Sequence, residues 1–122
     1  MRRYAMILGL LLTSACGASQ VPEAAFPGVE GARLFKAKGC ITCHTIGEGV
    51  KVGPDLQGLF VRREEAWVRR YVSDPATMFE NDPIAKALKK QYQVAMPRMM
   101  ISPSEMDQLV AYLQKATALT HP

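Results

Sequence analysis

The chain has 122 residues, 48% of them hydrophobic and 21% charged, a balance that fits a single globular domain and excludes a disordered polymer. Its formal net charge is +4, with 15 Lys and Arg against 11 Asp and Glu, and without Arg2 and Arg3 it is +2. No dense basic stripe interleaved with aromatic side chains runs through it, which argues against a nucleic-acid partner.

Residues 1–15 read as a signal peptide. Arg2 and Arg3 make a positive start, Ala5 to Leu12 an apolar run, and Thr13 to Ser19 a stretch of small residues, the layout of an export signal. The apolar run is well short of the ~20 residues that a membrane-spanning helix needs. Leu12-Thr13-Ser14-Ala15-Cys16 resembles the lipobox of bacterial lipoproteins, which implies that Cys16 is lipidated and becomes the mature N-terminus. Thr13 departs from the aliphatic residue usual there, so ordinary cleavage after Ala18 is the alternative. Cys16 is also the odd thiol of three, and a free thiol is a liability in an oxidising compartment. Residues 16–28, with Pro22, Pro27 and small side chains, read as a linker between a lipid anchor and a domain at 29–119.

The domain opens on a helical stretch from Gly31 to Lys38, with Leu34 and Phe35 facing a core. Cys40-Ile41-Thr42-Cys43-His44 follows as a CxxCH pentapeptide. Two thiols three positions apart on a helical turn reach the two vinyl groups along one edge of a porphyrin, and the next histidine falls under the iron. This is the pattern of covalent c-type haem attachment. CxxC alone is also the spacing of a thioredoxin-like redox pair. A zinc site would need four ligands, and the chain has no second CxxC and one further histidine, His121. A haem would also supply an apolar centre to a domain whose own core is small.

Gly53-Pro54 is a turn signal, and Pro54 presents its carbonyl from a backbone of fixed φ. Glu64 to Val72 places acids in a first helical turn and arginines in the last, as the helix dipole favours. Trp67, Val68, Tyr71 and Val72 share its apolar face, and Asp74-Pro75 stops it. Asp82-Pro83 opens a further helix to about Gln91, with Lys86, Lys89 and Lys90 on a solvated face. The methionines that could face an iron atom include Met78 and Met106, which read as core, and Met96, Met99 and Met100, which stand in the loop before the last helix. Ser102-Pro103-Ser104-Glu105 is a capping box with proline at the first helical position. Leu109, Val110, Tyr112 and Leu113 form the stripe of that helix. No alternating stretch long enough for a sheet stands out, so the fold class is all-α.

Over roughly Gly28 to Lys115 the chain resembles the single-haem class I cytochromes c. Gly31-Ala32-Arg33-Leu34-Phe35 matches the family's Gly-x-x-Leu-Phe approach to CxxCH, and Gly53-Pro54-Asp55-Leu56-Gln57-Gly58 its Gly-Pro-x-Leu-x-Gly loop. Tyr92 to Pro97 resembles its Met-Pro ligand loop, and Leu109 to Leu113 its C-terminal helix. The resemblance implies a cytochrome c fold of four to five helices wrapped around one covalently bound haem c. It implies that Gly31 lets the first helix cross closely over the last. Pro54 would accept the Nδ1 proton of His44, Leu56 would pack on the porphyrin, and Trp67 and Tyr71 would touch a propionate. Met96 would be the sixth ligand, with Met99 and Met100 as alternatives.

The function so implied is electron transfer between a respiratory-type donor and a terminal acceptor, outside the cytoplasmic membrane and without chemistry on a substrate. The partners expected are redox proteins and, through the N-terminal lipid, a membrane on the periplasmic side or at the cell surface; the chain is expected to be a monomer. Lys36, Lys38 and Lys51 flank the haem motif and are candidates to steer an acidic partner. The alternative is a haem domain whose sixth ligand exchanges, acting as a small-ligand sensor or a peroxidase-like enzyme. A third reading is a domain docked permanently to a larger redox complex.

Overall fold

The computed structural model describes residues 27–119. The signal segment 1–15, Cys16 and His121 lie outside the described residues. Of the linker 16–28 only Pro27 and Gly28 are described, as the first residues of a helix. Every regular element among the described residues is helical: α1 (Pro27–Ala37), α2 (Cys40–Cys43), α3 (Leu59–Arg62), α4 (Glu65–Ser73), α5 (Pro75–Asn81), α6 (Pro83–Tyr92) and α7 (Pro103–Ala116). α2 and α3 are single turns of four residues, so the longer helices number five, as the all-α expectation had it. Among the described residues no helix is long and apolar enough to cross a membrane.

The main crossing is α1 on α7. It depends on Gly31, where a Cβ would stand 2.2 Å from the Gln108 carbonyl oxygen and 2.3 Å from Tyr112 Cβ. Those neighbours include the backbone of α7, which cannot swing aside, so the hydrogen of glycine sets how closely the helices approach. One turn on, Phe35 meets Tyr112 with ring centroids 5.7 Å apart, and Phe35, Leu109 and Leu113 bury together. Each such side chain contributes about 1.5–3 kcal/mol of apolar burial.

The remaining helices are set by their caps. Asp74 ends α4, and its side chain accepts from Thr77 N at 3.3 Å and Thr77 Oγ1 at 2.7 Å. The dipeptide Asp74-Pro75 therefore both stops one helix and starts the next, α5, which the sequence reading did not contain. Asp82 does the same for α6, accepting from Ala85 N at 2.9 Å. At α7 the Ser102 hydroxyl accepts from Glu105 N at 3.3 Å, and Glu105 accepts from Ser102 N at 2.8 Å. This reciprocal pairing satisfies donors that a helix start leaves open. Lys38, just past α1, pairs with Glu105 at 2.9 Å and donates to the Met100 carbonyl at 2.8 Å. Lys51, which stays exposed, donates to the Ile41 carbonyl at 2.8 Å.

Arg69 joins α4 to α7 through Glu65 and Asp107, both at 2.7 Å. The apolar interior is divided in two. One cluster is the α1–α7 set; the other gathers Trp67, Val68 and Val72 of α4, Met78, Ala85, Met106 and Val110. Leu59, Phe60 and Ile101 pack against both clusters. Between the two clusters lies a cavity.

Candidate functional site

The cavity is lined chiefly by apolar side chains with a few polar groups among them, the character of small-molecule and cofactor sites. Phe35, Leu109 and Leu113 wall it on one side and Trp67, Val68 and Val72 on the other, with Leu56 and Leu59 between. Cys40, His44, Pro54, Leu56, Trp67, Tyr71 and Met96 all line it. Cys43 lines an adjoining hollow that shares His44, Pro54, Tyr71 and Met96 with the first. The structure therefore gathers these eight candidate residues around the cavity and the hollow beside it.

α2 brings the motif there. Its single turn from Cys40 to Cys43 is followed by His44, whose backbone is extended at φ −117°, ψ 149° and whose N–H closes the turn on the Cys40 carbonyl. His44 Nδ1 lies 2.8 Å from the Pro54 carbonyl oxygen. A carbonyl can only accept, so Nδ1 carries the proton and Nε2 keeps its lone pair for a Lewis acid. Gly53 makes room for the ring, since a Cβ there would stand 2.9 Å from His44 Cε1 and 3.3 Å from Nδ1. The chain on either side of Pro54 is pinned, by Gly53 N to the Cys43 carbonyl at 2.8 Å and by Leu56 N to the Thr45 carbonyl at 2.9 Å.

Cys40 and Cys43 are not joined to each other by a disulfide. Burial pushes the Cys40 thiol above its usual range, whereas a thioredoxin-like pair uses a depressed thiolate. No group of three or more His, Cys, Asp or Glu that could hold a metal ion is gathered among the described residues.

The methionines separate cleanly. Met96 lines the cavity. Met78 and Met106 are buried in the core, Met99 packs against that core from outside, and Met100 is 80% exposed. Trp67 stacks on Tyr71 with centroids 4.8 Å apart, and its Nε1 donates to Asp82 at 3.1 Å. The indole N–H is thereby committed to the cap of α6, and Trp67 offers the cavity a ring rather than a donor. Burial pushes the Tyr71 hydroxyl upward, keeping it neutral.

The sequence reading missed the cations of this site. Arg62 and Arg63, at the end of α3, line the cavity. Arg63 lies 5.4 Å over the Trp67 ring, and Arg62 donates to the carbonyls of Gln57 and, at 3.1 Å, Asp55. The signal was an adjacent arginine pair just before a helix, which without the fold looks like any solvated surface.

Comparison with known proteins gives consistent results. The sequence model of the family described as Cytochrome c matches residues 28–117. The aligned stretches span from about a third to under a half of the length of the curated relatives they match. In cytochrome c2 of Blastochloris viridis, 59 residues align at 42% identity, 47% of this chain and 42% of that one. Among solved structures, a cytochrome c domain from Pseudomonas putida is similar with a TM-score of 0.63 and 34% identity, over 71% of this chain and 87% of that one. A cytochrome c from Rhodothermus marinus shares the fold with a TM-score of 0.70 at 22% identity, over 93% of this chain and 90% of that one.

Proposed function

This chain belongs to the cytochrome c family, and we propose that it is an exported carrier of single electrons that does no bond-making chemistry on a substrate. The covalently bound haem c that the family implies supplies, when bound, a one-electron Fe(III)/Fe(II) couple. The site fits such a group: an apolar cavity lined by Cys40, the oriented imidazole of His44, the thioether of Met96 and two guanidinium groups, with Cys43 in the hollow beside it. Cys40 and Cys43 would hold the haem by thioether bonds. His44 would bind iron through Nε2, with the Pro54 carbonyl fixing its tautomer and raising its basicity. Met96 would supply a second protein ligand to the iron. Leu56, Leu59, Val68 and Leu109 would keep water from the centre, and Arg62 and Arg63 on the cavity wall would offer positive charge to the acid groups of the haem.

The observation that carries this reading is that one cavity holds both His44 and, of the described methionines, Met96 alone. Two protein ligands to the iron would favour electron transfer over ligand chemistry, and a Met/His pair would raise the potential. The signal-like start and the lipobox resemblance at Cys16 support export and a lipid anchor, with redox proteins as partners on that side of the membrane.

A redox titration followed by visible spectroscopy tests the reading. The expected result is a reversible one-electron transition with low-spin spectra in both states and slow carbon monoxide binding to the reduced protein. Rapid carbon monoxide binding at neutral pH would replace the carrier with the sensor or peroxidase-like alternative.

A further inference from the structure

Asp55 follows the proline whose carbonyl holds His44, and its own groups are unusually committed. Oδ1 accepts from Gly47 N at 2.8 Å and Gln57 N at 2.7 Å, and Oδ2 accepts from Gly49 N at 2.6 Å. Its carbonyl accepts from Arg62 at 3.1 Å. Three backbone amides from both limbs of the loop between His44 and α3 thus converge on one carboxylate. The Pro54 carbonyl and the Asp55 amide belong to one planar peptide unit, so fixing Asp55 fixes the direction in which that carbonyl points. A carboxylate is suited to this because it is acceptor-only with four lone-pair sites, and hydrogen bonds to it are stronger than those to a neutral oxygen.

We propose that Asp55 is a positioning residue for the proximal histidine: by gathering the amides of Gly47, Gly49 and Gln57 it keeps the Pro54 carbonyl on His44 Nδ1, and so sets how readily the iron is reduced. This rests on His44 being the iron ligand. Loosening the loop weakens the hydrogen bond, lowers the basicity of the imidazole and destabilises Fe(III) relative to Fe(II).

Two variants of the haem-loaded protein separate this from a plain charge effect. Asp55→Asn keeps the shape but turns an amide NH₂ toward a backbone donor. Gly49→Ala keeps the carboxylate but strains the backbone at φ +91° and draws the Gly49 amide away. The readouts are the reduction potential and, by NMR of the reduced protein, solvent exchange of the His44 Nδ1 proton. Positioning predicts a several-fold shift of the redox equilibrium toward Fe(II) and several-fold faster proton exchange in both variants. Unchanged exchange in both overturns the proposal, as does a potential shift confined to Asp55→Asn and abolished by high salt, which would mark screened charge alone. Failure of the underlying ligand assignment looks different: the unmodified protein would then lack a histidine-ligated low-spin spectrum.

Discussion

At the scale of single residues, His44 depends on neighbours that carry no charge: a proline carbonyl 2.8 Å away and a glycine that leaves space for the ring. The charge nearby belongs to Asp55, whose three amide donors, Gln57 first, lower its carboxyl from the ordinary value of 3.8 to about 2. A depressed pKa in the folded state means that Asp55 contributes stability in full above the ordinary value and loses it as pH falls through about 2. The unfolding midpoint of the native protein should therefore fall across this acid window more steeply than that of Asp55→Asn. Parallel pH profiles for the two proteins would show that the carboxylate contributes nothing to folding. The motif around His44 was legible in the sequence because its parts are local: Cys40 to His44 is one turn, and Gly53-Pro54 one bend. Arg62 and Arg63 were not, because only the packing of α3 against the cavity distinguishes them from surface arginines.

Among the elements, the decisive contact is the crossing of α1 and α7 at Gly31. A methyl group there would meet the α7 backbone at 2.2 Å, well inside contact distance, so Gly31→Ala must push the helices apart. Overpacking of a well-packed contact costs about 1–3 kcal/mol, and with a rigid neighbour the loss should lie near ~3 kcal/mol, read from the denaturant midpoint at unchanged slope. A loss below ~0.5 kcal/mol would mean that the helices can separate freely. Caps made several boundaries visible in advance: Asp82-Pro83 and Ser102 to Glu105 start helices where the sequence placed them. α5 escaped because proline after aspartate reads as a stop, while Asp74 serves as the end of α4 and the cap of α5 at once. Lys38 shows the converse. Its place beside the haem motif suggested a free surface cation, but its reach to Met100 and Glu105 makes it a tie between the end of α1 and the methionine loop.

The molecule as a whole is two apolar clusters facing each other across a cavity, with Leu59, Phe60 and Ile101 bridging them. A chain this short buries a smaller fraction of its surface than a longer one, and a large apolar cofactor between the clusters would complete a core that neither half makes alone. Three methionines within five residues leave the register open, and it is the path of the chain from α6 to α7 that puts Met96 on the cavity and leaves Met100 outside. The central claim, a carrier closed by His44 and Met96, is tested most directly by the near-infrared spectrum of the oxidised protein. The account predicts the weak band of methionine–iron bonding in the native protein and its loss in Met96→Ala; a band that survives the substitution, or one absent from the native protein, would contradict it.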